Sequence, residues 1–69
     1  MISYEYDALR AVFLKTFASV LHSLRNQIII VISGRPYTWE SAFVEVSGET
    51  EESKKILEEL KKLNIINTT

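Results

Sequence analysis

The chain of 69 residues contains no cysteine, one histidine, one proline and two glycines. Without cysteine, the chain itself cannot form disulfide bonds, thiolate metal sites or cysteine-bound iron–sulfur clusters, and His22 alone does not provide the histidine cluster of a zinc site. We therefore expect no cofactor. Because domains shorter than about 70–80 residues gain only about 3–5 kcal/mol from a single core, a second subunit is the remaining source of added stability.

An excess of charge and a long hydrophobic run are also missing. The net charge is −1 and the pI is about 5.7, so the chain has no basic surface of the kind that attracts nucleic acid or anionic membranes. The longest apolar run, Ile28–Ile32, has five residues, which is too short to cross a bilayer or to form the apolar region of a signal peptide. We expect a soluble, cytoplasmic protein that has no membrane partner and for which nucleic acid is not the favoured partner.

In the first third of the chain, the spacing of apolar residues changes from every second position to the spacing of one helical face. Apolar and polar residues alternate over residues 1–6, which favours a short strand, and Asp7 is a suitable N-cap for a helix that follows it. The helix is predicted to end near Arg25 or Asn26. Its apolar face has the spacing of three and four that a helix requires: Leu9, Val12, Phe13, Phe17, Val20, Leu21 and Leu24.

A hairpin is predicted next. Residues 27–33 form a β-branched run without alternation, which indicates a strand that is covered on both faces or that meets a partner outside this chain. Gly and Pro mark residues 34–37 as the connector. The return strand is predicted over about 39–47, where the alternating set Ala42, Val44 and Val46 would lie under the helices.

A second helix follows the hairpin. Thr50 is placed as its N-cap, and Glu51 and Glu52 lie at its positive end. Its apolar stripe consists of Ile56, Leu57, Leu60 and Leu63, and two helical ion pairs are predicted, Glu51–Lys55 and Glu58–Lys62. Asn64 then ends this helix, and residues 65–67 have the composition of a short last strand.

The predicted order of elements is therefore β-α-β-β-α-β in one domain, 1–69. This is the ferredoxin-like pattern of the α+β class, in which two helices cover one face of a four-stranded antiparallel sheet. If the outer strands at 1–6 and 65–67 do not form, the order reduces to α-β-β-α.

With the residues arranged in this way, the second half of the chain resembles the NIL domain, a small ACT-like ferredoxin fold. The resemblance lies in Ser-Gly-Arg-Pro-Tyr at 33–37, Phe-Val-Glu-Val-Ser-Gly at 43–48, Glu-Glu at 51–52, Ile-Leu-Glu-Glu-Leu at 56–60 and Asn-Ile-Ile at 64–66. It implies a ligand-sensing or assembly role, because ACT-like relatives bind amino acids at dimer interfaces. Residues 42–46 also resemble the second half of an RNA-recognition-motif signature, in which Phe43 and either Tyr4 or Tyr6 would stack on bases.

The candidate ligand site is the cluster of Arg35, Tyr37 and Trp39 around Pro36. A guanidinium beside two aromatic rings can hold a carboxylate or pack at an interface; the structural alternative is a hairpin loop in which Trp39 covers the end of the sheet. No catalytic site is expected, because His22 has no carboxylate or nucleophile at a fixed spacing. Glu40 and Glu45 lie on opposite faces of the predicted strand.

The candidate dimer interface is the apolar strand together with the sheet face that the helices leave open. The strand lies at a sheet edge in the ferredoxin-like order and has no Lys or Pro to prevent pairing. The predicted interface residues are Ile28, Ile30, Ile32, Trp39 and Phe43. The sequence thus predicts a non-enzymatic homodimeric module that senses an amino acid or another small molecule. The alternatives are an interaction or assembly subunit without a small ligand and a single-stranded RNA-binding module.

Overall fold

The computed structural model describes the backbone of residues 3–67 and the side chains of residues 5–67, and its element order is α-β-β-α-α. The elements are α1 (Ser3–Ser19), a short 3-10 helix (His22–Leu24), β1 (Ile28–Ile32), β2 (Arg35–Thr38), α2 (Trp39–Ser47) and α3 (Glu51–Lys62). The class is α+β, as predicted. The ferredoxin-like architecture is wrong, however, because the sheet in this part of the chain has two strands and three helices accompany it.

The predicted first strand is helical where the structure describes it. Residues 3–6 belong to α1, Asp7 lies inside that helix instead of capping it, and residues 1–2 of the predicted strand lie outside the described residues. The reason is that Tyr6 already belongs to the helical stripe. It is buried together with the residues three, seven and eleven positions later, which are Leu9, Phe13 and Phe17.

The same helix ends six residues earlier than the predicted Arg25. After Ser19 the chain leaves the α-helical path, and only the 3-10 turn His22–Leu24 follows. Leu21 and Leu24 therefore do not continue the apolar face, and both are exposed.

The predicted strand 27–33 is confirmed as β1, which pairs with β2 in antiparallel orientation. The connection is tighter than predicted, because Ser33 (φ 52°) and Gly34 (φ 80°) alone make the turn. Two consecutive positive φ angles are typical of type I′ turns, whose twist matches that of the strands. Arg35, Pro36 and Tyr37 consequently lie on β2 and not in the connector.

The predicted return strand over 39–47 is wrong, since this segment is α2. Its N-terminus is closed by a reciprocal capping box: the Ser41 backbone N–H donates to Thr38 Oγ1 at 3.0 Å, and the Thr38 backbone N–H donates to Ser41 Oγ at 2.8 Å. Ala42 and Val46 are fully buried, four residues apart on one helical face, whereas Val44 is 59% exposed. A strand would have placed all three on the same side.

The last predicted helix is confirmed as α3, with Ile56, Leu57 and Leu60 fully buried. Leu63 is an exception at 57% exposure, because it lies beyond Lys62, where the helix ends.

Asn64 terminates α3 as predicted. It has a left-handed conformation (φ 61°). Its N–H donates to the carbonyl oxygen of Lys61 at 3.0 Å, and the N–H of Ile65 donates to that of Leu60 at 2.9 Å, which is the Schellman arrangement. The predicted strand at 65–67 does not form, because this turn redirects the chain and places Ile66 in the core.

The polar details of α3 differ from the predictions. Thr50 precedes the helix but makes no side-chain cap; its hydroxyl donates to Glu45 Oε1 at 2.7 Å instead. Within the described residues, the ion pairs of this helix join side chains three positions apart, whereas the sequence predicts pairs four positions apart. The observed pairs are Glu52–Lys55 at 3.6 Å and Glu59–Lys62 at 3.4 Å.

The three helices pack against one another, and α2 and α3 also contact the hairpin. The core between them takes residues from the three α-helices and both strands: Tyr6, Leu9, Phe13, Phe17, Ile30, Tyr37, Ala42, Val46, Ile56, Leu57 and Leu60, together with Ile66 from the C-terminal turn. Arg10 fastens α1 to the end of α2, because its guanidinium donates to the carbonyl oxygens of Val46 at 3.0 Å and Ser47 at 3.2 Å. The inner face of the hairpin thus meets the core, and within residues 3–67 no helix covers its outer face.

Candidate interaction surface

A β-bulge in β1 decides which side chains the hairpin presents outward. Ile30 pairs with Tyr37, and Val31 pairs with Pro36. From Ile30 back to Ile28 the strand advances two residues, whereas β2 advances one, from Tyr37 to Thr38. One residue of β1, Ile29, is therefore extra, as in a bulge.

The bulge brings Ile28 to the outer face. Residues directly opposite each other in an antiparallel pair lie on the same face, so Ile30 and Tyr37 share the inner face, where they are 5% and 2% exposed. Val31 and its partner Pro36 share the outer face. In a regular strand Ile28 would lie on the same side as Ile30. With the extra residue it lies on the outer face with Val31, and the two are 62% and 58% exposed.

Two further apolar side chains are exposed just before β1. Leu21 is 67% exposed and Leu24 is 39% exposed. Of the seven large hydrophobic residues that are exposed in the described chain, four lie between positions 21 and 31. We call the set Leu21, Leu24, Ile28, Val31 and Pro36 the apolar strip.

Hydrogen bonds hold the segment that carries the apolar strip. The N–H of Gln27 donates to the carbonyl oxygen of Leu24 at 3.1 Å, and the N–H of Glu40 donates to that of Arg25 at 3.0 Å, which links the segment to the start of α2. The Arg25 guanidinium stacks over the Phe17 ring, with its carbon 4.4 Å from the ring centroid. The charge of Arg25 is thus directed towards the end of α1, and residues 26–34 carry no charged side chain.

The predicted ligand cluster is brought together only in part. The Arg35 guanidinium carbon lies 5.4 Å from the centroid of the Tyr37 ring, but Tyr37 is buried and its hydroxyl donates to Glu52 Oε2 at 3.3 Å. Trp39 is half-buried and packs on Phe13 of α1, with 5.9 Å between the ring centroids. Arg35 is therefore the one exposed member of the predicted triplet.

Burial also governs the acidity of Tyr37. Removal of the phenolate from water raises the pKa of this hydroxyl above its ordinary value, the Arg35 charge opposes the increase, and the Glu52 charge adds to it. The hydroxyl stays protonated at neutral pH and serves as a hydrogen-bond donor to α3.

Of the five predicted interface residues, Ile28 alone belongs to the apolar strip. Ile30 is buried, and Ile32 is half-buried against the core. Trp39 and Phe43 are also half-buried, and Phe43 stacks on Phe17 with 4.3 Å between the ring centroids. Sequence reasoning missed Leu21, Leu24 and Val31 as surface residues, because the early end of α1 and the bulge have no clear signature in the sequence.

The aromatic residues of the predicted RNA-binding surface do not share a sheet face. Phe43 lies in α2 against Phe17, and Tyr6 is buried in α1. The side chain of Tyr4 lies outside the described residues.

An open groove of about 300 Å³ lies between α1 and α3 and is lined by Glu5, Glu58, Lys61 and Lys62. The charges in it are partly paired, since Lys61 Nζ lies 3.1 Å from Glu5 Oε1.

No group of three or more His, Cys, Asp or Glu side chains in the described part of the chain could hold a metal ion. Within residues 3–67, no helix has the length and apolar character needed to span a membrane.

No protein-family model matches this sequence, and neither a curated protein nor a solved structure matches it. The resemblance to the NIL domain stays a prediction, and the ferredoxin-like fold that it implies is not the fold found here.

Proposed function

We propose that this chain is a small non-enzymatic binding module that acts as a homodimer, and that the apolar strip is its contact surface. The observation that carries the proposal is the concentration of exposed leucine, isoleucine and valine at positions 21–31 beside an uncovered hairpin face. Exposed apolar patches are typical of sites that a partner covers, and Ile28 and Val31 share one such face of the hairpin.

The energy available from the strip supports this function. Complete burial of a leucine, isoleucine or valine side chain is worth about 1.5–3 kcal/mol. Leu21, Ile28 and Val31 are each exposed by 58–67%, so covering each of them would contribute on the order of 1–2 kcal/mol. For a domain of this length, that gain is large relative to the stability that one core supplies.

Among the predicted versions of this module, the one without a small ligand has the better support. The ring and hydroxyl of Tyr37 are engaged in the core and with Glu52, and Trp39 packs on Phe13. A ligand at this place would meet a single exposed guanidinium, that of Arg35, and one such group on a surface strand gives little specificity.

The test is the solution mass, measured by light scattering from micromolar to millimolar concentration. We expect the wild type to be a dimer that dissociates on dilution, and Val31→Lys to be a monomer whose melting temperature matches that of the wild type only at dilutions where the wild type is also monomeric. Val44→Lys is the matched control, because Val44 and Val31 have nearly equal exposure, 59% and 58%, and the substitution is identical.

A wild-type chain that stays monomeric at millimolar concentration would contradict the proposal. Dissociation of the dimer by Val44→Lys to the same extent as by Val31→Lys would also contradict the proposal. The effect would then come from an added charge anywhere on the surface and not from the apolar strip.

A further inference from the structure

We infer that two copies of the chain stack the outer faces of their hairpins across a two-fold axis and do not join their β1 edges into a continuous sheet. This inference rests on the proposed homodimer and specifies how its two copies meet. Both arrangements use the same segment, but they bury different groups. Edge pairing buries backbone N–H and C=O groups, whereas stacking buries the side chains of the apolar strip.

The bulge disfavours edge pairing. The extra residue at Ile29 interrupts the regular edge, so that only residues 30–32 of β1 have an unbroken register. Bulges bend and twist a strand locally, and natural sheets use them to prevent pairing at an edge. The same bulge places Ile28 beside Val31 on the outer face. One irregularity therefore weakens the edge and enlarges the apolar face.

Charge favours a second copy as the occupant of this face. A two-fold interface brings each residue close to its own copy or to that of a neighbour, so a charged patch would face like charges. Residues 26–34 carry no charge, and the outer-face partner of Val31 is Pro36. The face can thus meet itself without electrostatic repulsion. The exposed side of α3, with its lysines and glutamates, has no comparable apolar area.

The side chains that each arrangement leaves exposed also favour stacking. A two-stranded face five residues long measures about 17 by 10 Å, which is well below the roughly 800 Å² that a stable interface covers on each partner. The contact is therefore small, which agrees with a dimer that dissociates on dilution. Edge pairing would leave Ile28 and Val31 exposed on both copies, whereas stacking covers both side chains.

Pro36→Lys distinguishes the two arrangements. In the stacked dimer Pro36 lies in the contact, and we expect the substitution to weaken association at least tenfold, as Val31→Lys does. In an edge-paired dimer β1 separates β2 from the junction, so the same substitution would leave the mass unchanged. Pro36→Ala controls for the loss of the ring, and we expect it to remain dimeric.

A second measurement does not depend on a destabilising charge. Because the chain has no cysteine, Pro36→Cys gives a single thiol. Stacked sheets lie about 10 Å apart, whereas the β2 strands of an edge-paired sheet would be three strand spacings, about 14 Å, apart. Because outer-face side chains point into the gap between stacked sheets, the two thiols lie closer than the sheets, and a short flexible bis-maleimide that reaches no more than about 10 Å should join two copies of Pro36→Cys. It should not join two copies of the control Val44→Cys.

The outcomes separate this inference from the proposed function. Dissociation by Pro36→Lys together with crosslinking of Pro36→Cys supports stacking. A wild-type dimer that survives Pro36→Lys and gives no crosslink overturns stacking, and the homodimeric function stands. A monomeric wild type overturns both.

Discussion

The hydroxyl oxygen of Tyr6 lies 2.8 Å from Ser53 Oγ and joins the beginning of α1 to the beginning of α3 inside the protein. Ser53 also donates its hydroxyl proton to the carbonyl oxygen of Thr50 at 2.5 Å. A serine hydroxyl has one proton, so the tyrosine is the donor in the contact with Ser53. The two residues form a directed chain from Tyr6 through Ser53 to the backbone that precedes α3.

The direction of this chain predicts unequal effects of removing its two members. Ser53→Ala leaves the Tyr6 hydroxyl buried without an acceptor and should lower the free energy of unfolding by about 1–3 kcal/mol, whereas Tyr6→Phe leaves the Ser53–Thr50 bond intact and should cost about 0.5–1.5 kcal/mol. Urea denaturation of both variants measures this difference.

The double variant provides the control. Once Tyr6 is phenylalanine, no buried hydroxyl is left unpaired, so Ser53→Ala should cost less in that background than in the wild type. Equal costs in the two backgrounds would show that the residues are not coupled.

The helical core positions were predictable because their spacing does not depend on tertiary contacts. Leu9, Phe13 and Phe17 follow at intervals of four and are buried as expected. Ile56 and Leu60 repeat the same interval in α3. Periodicity defines such a face whatever packs against it.

The sequence predicts a strand at residues 39–47 because two periods coincide there. Ala42 and Val46 are separated by four positions, which fits both an alternating strand and one helical face, and Val44 between them favours the strand. The local signal that distinguishes the two is the capping box of Thr38 and Ser41. This signal is weak in the sequence, because serine takes the third helical position, where Glu or Gln is usual.

The bulge at Ile29 could not be predicted from the sequence. Each residue in 28–32 is an isoleucine or a valine, so no hydrophobic pattern specifies a register. The register follows from Tyr37, which is buried opposite Ile30, and from the two-residue turn at Ser33 and Gly34. The homodimer stays a prediction, and the residues of β1 that are exposed for such a contact are those on its outer side, Ile28 and Val31.

The burial of Tyr37 predicts a loss of stability at alkaline pH. Its pKa is raised in the folded state, first by desolvation, so folding favours the protonated hydroxyl. The resulting stabilisation is complete below the unfolded pKa of about 10 and is lost as the pH rises through the folded value. We expect the free energy of unfolding of Tyr37→Phe to fall less than that of the wild type between pH 8 and pH 11, as measured by urea titrations at both pH values. Parallel decreases in the two proteins would contradict this prediction.

The turn between α2 and α3 contains a residue in a conformation that glycine adopts more easily. Glu49 has a φ of 53°, it is exposed, and its N–H donates to the carbonyl oxygen of Val46 at 3.2 Å. A left-handed conformation costs a residue with a Cβ about 1–2 kcal/mol, so Glu49→Gly should raise the free energy of unfolding by about 1 kcal/mol after the entropy of glycine in the unfolded chain is deducted. Glu49→Ala keeps the Cβ and should give no such gain. Ser47→Gly, at the last residue of α2, should give no gain, because this residue does not have a positive φ. Chemical denaturation of the three variants tests the assignment, and a Glu49→Gly protein no more stable than Glu49→Ala would show that the turn is not strained.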